Sequence, residues 1–152
     1  MLIRASQAPE ADFGIEFSQG INALLPHLSK MRASSRILGS DARRCMVAGD
    51  VDGACERIAA IYRTAYHCTN DRVLISALVS IAITSLADTQ TQIIIDTNRL
   101  STAGKQMLLT EARLLAQPDG WSVKRSMEGE RWWTTGWLRT IATGPNAGQK
   151  IV

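Results

Sequence analysis

Residues 24–68 read LLPHLSKMRASSRILGSDARRCMVAGDVDGACERIAAIYRTAYHC, and the spacing of their apolar side chains predicts the architecture. In the first half, apolar or small residues recur at alternating intervals of four and three, which is typical of one face of an α-helix. They are Leu24, Leu28, Met31, Ser35, Leu38, Ala42 and Cys45. The second half repeats the pattern with Ala54, Ile58, Ile61, Ala65 and Cys68. The sequence therefore predicts two amphipathic helices, with Pro26 in the first turn of the first one.

A short turn joins these helices: Gly49-Asp50-Val51-Asp52-Gly53-Ala54. Gly49 suits the left-handed conformation that ends a helix, and the Asp50 carboxylate suits a cap that accepts free N–H groups at the start of the next one. Asp52 falls in the first turn, where negative charge is favourable. As cation ligands the two aspartates lack the further oxygens of an EF-hand, so capping is the better explanation. A turn this short predicts antiparallel packing.

The next segment is apolar on nearly every side. Residues 73–86 consist mainly of Val, Leu, Ile and Ala and follow a predicted cap at Asn70 or Asp71. All-round apolarity indicates a central helix covered by its neighbours, here predicted to continue to Asn98 and to be wrapped by the second, third and fifth helices. A membrane-spanning helix needs about 20 apolar residues, whereas serine and threonine interrupt this segment. We therefore predict a buried helix and no transmembrane segment.

The remaining boundaries come from capping residues and helix breakers. Ser101 is predicted to cap a fifth helix that ends before Pro118, and Gly129 to separate a short helix from the last one. The other predicted elements are a flexible arm 1–9, helices 10–19, 121–127 and 130–142, and a C-terminal tail 144–152. Residues 10–143 are predicted to form a single all-α domain of about five to seven helices, arranged as antiparallel hairpins.

Composition is that of an ordinary globular protein. The 152 residues are 45% hydrophobic and 20% charged, with a net charge of +3, which excludes a disordered chain and fits one domain. The three cysteines, 45, 55 and 68, show no C-x-x-C spacing and are predicted to be buried free thiols of a reducing compartment. The first residues show no secretory signal pattern. These features predict a cytoplasmic protein, or an envelope-associated one if the chain is a piece of a longer protein.

Two family resemblances accompany this pattern. The turn Ala48–Ala54 resembles that of a divergent tetratricopeptide-type helical hairpin, although Tyr66 stands where such a repeat usually closes with proline. Its packing positions are Leu38, Ala42, Ile58 and Ile61. More broadly, residues 24–133 resemble uncharacterised all-helical proteins of planctomycete-type bacteria, in the runs LPHLSK, DARR, GDVDGA, LISALVSIAI and GER. That likeness implies helical hairpins and no assigned activity.

No arrangement of side chains predicts catalysis. The two histidines, His27 and His67, lie on different predicted helices. The phosphate-binding loop, the zinc-protease motif and the serine-hydrolase motif do not occur. We therefore predict no catalytic residue, no metal ligand and no cofactor.

Two surfaces are candidates for binding. Tryptophan and arginine are over-represented at the energetic centres of interfaces, and the predicted interaction residues are Trp121, Arg131, Trp132, Trp133, Trp137 and Arg139. The alternative for this cluster is that the indoles cap the end of the bundle. A predicted basic face on the helix before the turn consists of Arg32, Arg36 and Arg43. The alternative for this face is simple solvation.

These observations lead to three functional hypotheses. The leading one is a non-catalytic helical interaction or scaffold module that binds a partner protein or self-associates as a homodimer or larger assembly. The alternative is a nucleic-acid-binding helical domain that uses the basic face and the tryptophan- and arginine-rich segment, although the modest net charge counts against it. An enzyme or small-ligand binder with a pocket inside the bundle is the third.

Overall fold

The computed structural model describes residues 1–143 and is all-helical over that range. Its six α-helices are α1 (Leu2–Ser6), α2 (Pro26–Val47), α3 (Val51–Cys68), α4 (Leu74–Asp96), α5 (Thr102–Leu115) and α6 (Val123–Thr143). Two 3-10 segments, Phe17–Asn22 and Thr69–Asp71, lie between α1 and α2 and between α3 and α4. The predicted all-α class is confirmed for this part of the chain, and the predicted tail 144–152 lies outside it.

The turn between α2 and α3 follows the sequence pattern closely. Gly49 has a positive φ of 82°, and the Asp50 carboxylate caps α3 by accepting from the Gly53 N–H at 2.8 Å. A Cβ at Gly53 would meet that carboxylate in its present position, so a larger residue here would displace the Asp50 side chain. Ser101 caps α5 in the same way, accepting from the Gly104 N–H at 2.9 Å. Both predicted caps are confirmed.

Helices α2, α3 and α4 lie side by side in alternating directions. Side-chain contacts show this order, because residues late in α3 meet early residues of both neighbours. The contacts are Met31–Cys68 and Asp41–Arg57 between α2 and α3, and Ala65–Ser80 and Tyr62–Asp88 between α3 and α4. Helices α2 and α4 therefore run in the same direction, with α3 antiparallel to both.

Helix α3, rather than α4, is the centre of the bundle. It packs against α1, α2, α4 and α5, and 12 of its 18 residues are buried. Its predicted stripe is fully enclosed: Ala54, Ile58, Ile61, Ala65 and Cys68. The prediction that the helix of residues 73–86 occupies the centre is wrong, and α5 packs mainly against α3 instead of wrapping α4.

Helix α4 turns small polar residues inward together with Ile83 and Ile94, and it leaves several large apolar residues on its outward side. Ser76, Ser80 and Thr84 are buried, and their hydroxyls donate respectively to the Asp71 carboxylate, the Ala65 carbonyl and the Ser80 carbonyl. Small side chains let α4 approach α3, and the hydrogen bonds offset the cost of burying hydroxyl groups. Because the sequence of α4 is apolar on nearly every side, it does not indicate which side faces α3. The predicted central position of α4 is wrong for this reason.

Among residues 1–143, α4 is the one helix long and apolar enough to cross a membrane by length and composition. Within the most apolar 18-residue stretch of α4, 33% of the residues are buried inside the protein. A single weakly apolar helix that is bonded along one side to α3 provides no clear transmembrane segment.

The N-terminal residues differ from the prediction in two places. Instead of a flexible arm over residues 1–9, Leu2–Ser6 forms α1 against α3, where the Ser6 carbonyl lies 3.0 Å from His67 Nε2. Instead of a helix over residues 10–19, the backbone is irregular up to residue 16. There Asp12 accepts from the Gly14 N–H at 2.9 Å, and such local side-chain bonds compete with helix formation.

Helix α6 runs unbroken through Gly129, so the predicted break at this residue is wrong. Gly129 instead lets α6 pass close to the backbone of Arg72, because a Cβ would stand 2.5 Å from the Arg72 carbonyl oxygen. The next residue, Glu130, accepts from the Leu74 N–H at 2.8 Å. Helix α6 thus supplies the acceptor for the first turn of α4.

Candidate interaction surface

The structure gathers five of the six predicted interaction residues into one groove. The groove lies along residues 128–140 of α6 and has a volume of about 980 Å³, and these residues line it: Arg131, Trp132, Trp133, Trp137 and Arg139. Trp121 is not among its lining residues. The Trp121 indole N–H donates to the Thr84 hydroxyl at 3.2 Å, beside α4.

Two faces of α6 build this groove. Trp133 and Trp137, four residues apart, are half-buried on one face, where the Trp133 ring lies 6.3 Å from the ring of Phe17 in the first 3-10 segment. Trp132 lies on the neighbouring face and is 80% exposed. Gly136 leaves the groove open, because a Cβ there would meet no described atom within 4 Å. The result is an aromatic groove in which one indole is available to a partner.

The groove carries positive charge that ion pairs do not neutralise within residues 1–143. Arg131 and Arg139 are exposed, and neither pairs with an acid in that range. Glu128 is the one acidic residue in the lining. The Trp133 indole N–H is shielded from solvent and finds no acceptor among the described residues. A buried donor left unpaired costs about 1–3 kcal/mol, so this N–H favours a ligand that brings an acceptor.

Two further cavities extend the groove into one continuous furrow. A cavity of about 480 Å³ shares Phe17 and the tryptophans at 132 and 133 with the groove. It also shares Phe17, residues 70–72 and Arg125 with a third cavity of about 730 Å³, which reaches residues 9–15. We call the three cavities together the furrow. Its elongated shape fits an extended polypeptide, since compact ligands use a single enclosed pocket.

Asp71, one member of a histidine–aspartate pair, lines the polar end of the furrow. His27 Nε2 lies 2.7 Å from an Asp71 oxygen that also accepts from the Ser76 hydroxyl, and the Phe13 ring stacks on the imidazole at 4.1 Å. Sequence reasoning missed this pair because its members are 44 residues apart, and it assigned Asp71 or Asn70 to the cap of α4. His27 does not line the furrow, so the pair joins α2 to the start of α4.

The cysteines are buried free thiols, as predicted. Burial raises the pKa of Cys55 to about 11 and that of Cys68 to about 12, and the nearby Asp52 and Asp71 carboxylates act in the same direction. A thiol that stays protonated is a weak nucleophile and a weak metal ligand. The described residues also contain no group of three side chains that could hold a metal ion.

The predicted basic face is exposed along α2: Arg32, Arg36 and Arg43. Asp41 lies on the opposite side of the helix, where it pairs with Arg57 at 2.8 Å and Arg44 at 2.6 Å. Hydrogen bonds from these two guanidinium groups lower the pKa of Asp41. Arg43 donates to Gln90 of α4 at 3.0 Å. The basic face therefore borders α4, while the furrow lies between α6 and the first 3-10 segment.

Comparison with models of protein families, with curated proteins and with solved structures gave no match. The resemblances to tetratricopeptide-type hairpins and to planctomycete-type helical proteins therefore stay predictions.

Proposed function

We propose that this chain is a non-catalytic interaction module whose aromatic groove on α6 holds an extended, acidic segment of a partner protein. The observation that carries the proposal is the convergence on one open groove of three tryptophans and two arginines that form no ion pair within residues 1–143. A bundle that used these indoles only to close its own end would bury all of them, whereas Trp132 is 80% exposed.

The spacing of the arginines defines what such a segment contains. Arg131 and Arg139 are two turns apart, or about 12 Å along α6. An extended chain covers that distance in about four residues, and arginine forks bind carboxylates with two parallel hydrogen bonds. We therefore expect two acidic residues about four positions apart. An aromatic or aliphatic side chain between them would pack on Trp132, and a backbone carbonyl would accept from the Trp133 N–H.

The non-catalytic part of the proposal is supported by the state of the reactive groups. The Cys55 and Cys68 thiols are held protonated by burial, and His27 is bonded to Asp71 and covered by Phe13. None of these groups lines the aromatic groove. The exposed side chains of the groove therefore favour binding of a partner over catalysis.

Short synthetic peptides test the proposal. One set carries an aromatic residue between two glutamates placed four positions apart, and the matched set carries lysines at the glutamate positions. Because Trp132 is exposed, we expect only the acidic set to shift tryptophan emission to shorter wavelength. Charge reversal with Arg131→Glu and Arg139→Glu should transfer binding to the lysine set. Equal binding of the two sets, or binding of neither, contradicts the proposal.

Matched variants locate the site. Trp132→Ala should weaken acidic-peptide binding by about tenfold or more, as expected for an exposed aromatic anchor. Leu138→Ala is the control, because Leu138 is 50% exposed on the same helix and does not line the groove. Tight, salt-sensitive binding of oligonucleotides that also depends on Arg32 and Arg36 would favour the nucleic-acid alternative. A concentration-dependent dimer in light scattering that Trp132→Ala abolishes would favour self-association.

A further inference from the structure

Two neighbouring helices share an outward face that the furrow does not use. On α4, Ile75, Leu78 and Ile81 are 51%, 56% and 36% exposed, although such residues are among those most often buried. The inward hydroxyls fix this orientation, because rotating α4 to bury the apolar residues would break the bonds to Asp71 and Ala65. The apolar side is thus a consequence of specific packing.

Helix α2 borders that side with positive charge. Gly39 of α2 faces the Leu86 methyl groups of α4, and Arg43 donates to α4 further along. Arg32 and Arg36 lie on the same face of α2 by helical spacing, beside the first half of α4. Within residues 1–143 they form no ion pair. One edge of the apolar side is therefore cationic.

A tryptophan borders the other edge. Trp121 is 37% exposed while its indole N–H donates to Thr84, and Thr84 lies about 200° around α4 from Leu86. An amphipathic indole in this position suits the boundary between water and lipid. The first half of α4, residues 74–87, contains no acidic residue. Its acids, Asp88 and Asp96, come later in the helix.

We propose that this α2–α4 face docks on the surface of a membrane rich in anionic phospholipids. The face consists of Arg32, Arg36, Ile75, Leu78, Ile81 and Trp121. The apolar side chains of α4 enter the boundary between headgroups and acyl chains, as in amphipathic helices that lie in the interface. The arginines bind lipid phosphates. The helix lies on the membrane and does not cross it, because its other side stays bonded to α3.

A second copy of the chain fits this face less well than a membrane. Laying two α4 helices face to face and antiparallel brings Arg32 and Arg36 of one copy against the same residues of the other, and like charges disfavour that contact. A nucleic acid would engage the arginines, but its phosphate backbone gains nothing from exposed isoleucine and leucine. An anionic bilayer satisfies the charge and the apolar surface together.

Vesicle co-sedimentation of the full chain tests the proposal. One vesicle type is pure phosphatidylcholine, and the other contains equal parts of phosphatidylcholine and phosphatidylglycerol. We expect binding to the anionic vesicles only, and weaker binding as salt is raised. The double variant Arg32→Gln/Arg36→Gln should lose about tenfold or more in affinity, and Leu78→Ser about tenfold.

Control variants separate this face from other surfaces. Arg113→Gln removes an exposed charge on α5, and Ile37→Ser changes an exposed apolar residue on the side of α2 away from Gly39; both should bind like wild type. Trp132→Ala should also keep vesicle binding, and this result would distinguish membrane docking from peptide binding in the furrow. Equal binding to both vesicle types, binding to neither, or binding that the test variants leave unchanged would overturn it. So would a wild-type dimer that Leu78→Ser converts to monomer.

Discussion

Helices α3 and α4 lie side by side and are both rich in apolar residues, yet α3 buries its apolar stripe whereas α4 exposes several of its large apolar residues. In α3 the apolar stripe alternates with charged residues such as Arg57 and Arg63, and the stripe is the buried face. In α4 the charged residues are confined to Asp88 and Asp96, and the buried face mixes serine, threonine and glutamine with two alanines, Ile83 and Ile94. The comparison shows that a regular alternation of apolar and charged residues, rather than high apolarity alone, identifies the side of a helix that packs.

The largest expected effect is a loss of folding stability at high pH. We expect it to arise from buried thiol and phenol groups of α3, because α4 contains no cysteine or tyrosine. Burial raises the pKa of Cys55 to about 11 from its ordinary value of 9.0, and that of Tyr62 to about 12 from 10.0. Cys68 shifts in the same direction. Because the folded pKa values exceed the unfolded ones, their contribution to stability is complete below about pH 9 and is lost as the pH rises toward 12. Circular dichroism should show alkaline unfolding in that window.

A thiol reagent provides the control for this prediction. At pH 8 the native protein should react slowly at the α3 cysteines, and rapidly once urea has unfolded it. Rapid reaction of the native protein, together with a urea midpoint that does not change between pH 9 and 12, would contradict the central position of α3.

Truncation of one apolar residue on each helix gives the next largest difference. Ile61 of α3 is fully buried, so Ile61→Ala should lower the free energy of unfolding by about 2–5 kcal/mol. Leu78 of α4 is more than half exposed, so Leu78→Ala should change it by less than about 0.5 kcal/mol. Urea denaturation of both variants measures the difference. Similar losses at the two positions would show that the outward side of α4 is covered.

Alanine substitutions at two glycines of α6 are expected to have the smallest effects on stability, and the two effects should have opposite signs. Gly129→Ala places a Cβ against the Arg72 carbonyl just before α4 begins, and should cost about 1–3 kcal/mol. Gly136→Ala meets no described atom and should stabilise the chain by about 0.5–1 kcal/mol through helix propensity. Thermal unfolding compares the two variants. Stabilisation by both would indicate that α6 does not pass closely over Arg72.

The sequence predicted those parts of the fold that depend on neighbouring residues. The stripes of α2 and α3, the Asp50 and Ser101 caps and the Gly49 turn are all local patterns, and the structure contains them. The rotation of α4 and the continuity of α6 through Gly129 depend on close approaches to distant backbone. No periodicity in either helix reports such approaches.

The candidate site likewise has a part that the sequence predicts and a part that it does not. Clustering in the sequence identified the tryptophans and arginines of α6, because they share one helix. The opposite wall of the furrow, with Phe17 and residues 70–72, comes from segments more than 50 positions away. The His27–Asp71 pair likewise joins two helices across 44 positions. Single-sequence reasoning can therefore propose which side chains bind, but not the shape they line.

The carboxylate that α6 contributes to α4 has a consequence for dissecting the protein. Glu130 accepts the Leu74 amide, and Trp121 accompanies it with a bond to Thr84. A fragment ending before residue 121 would lose both partners and leave the start of α4 exposed beside the lipid-docking surface proposed above. Expression of shorter pieces should therefore yield aggregation-prone material, whereas a fusion partner attached beyond Thr143 leaves this junction intact.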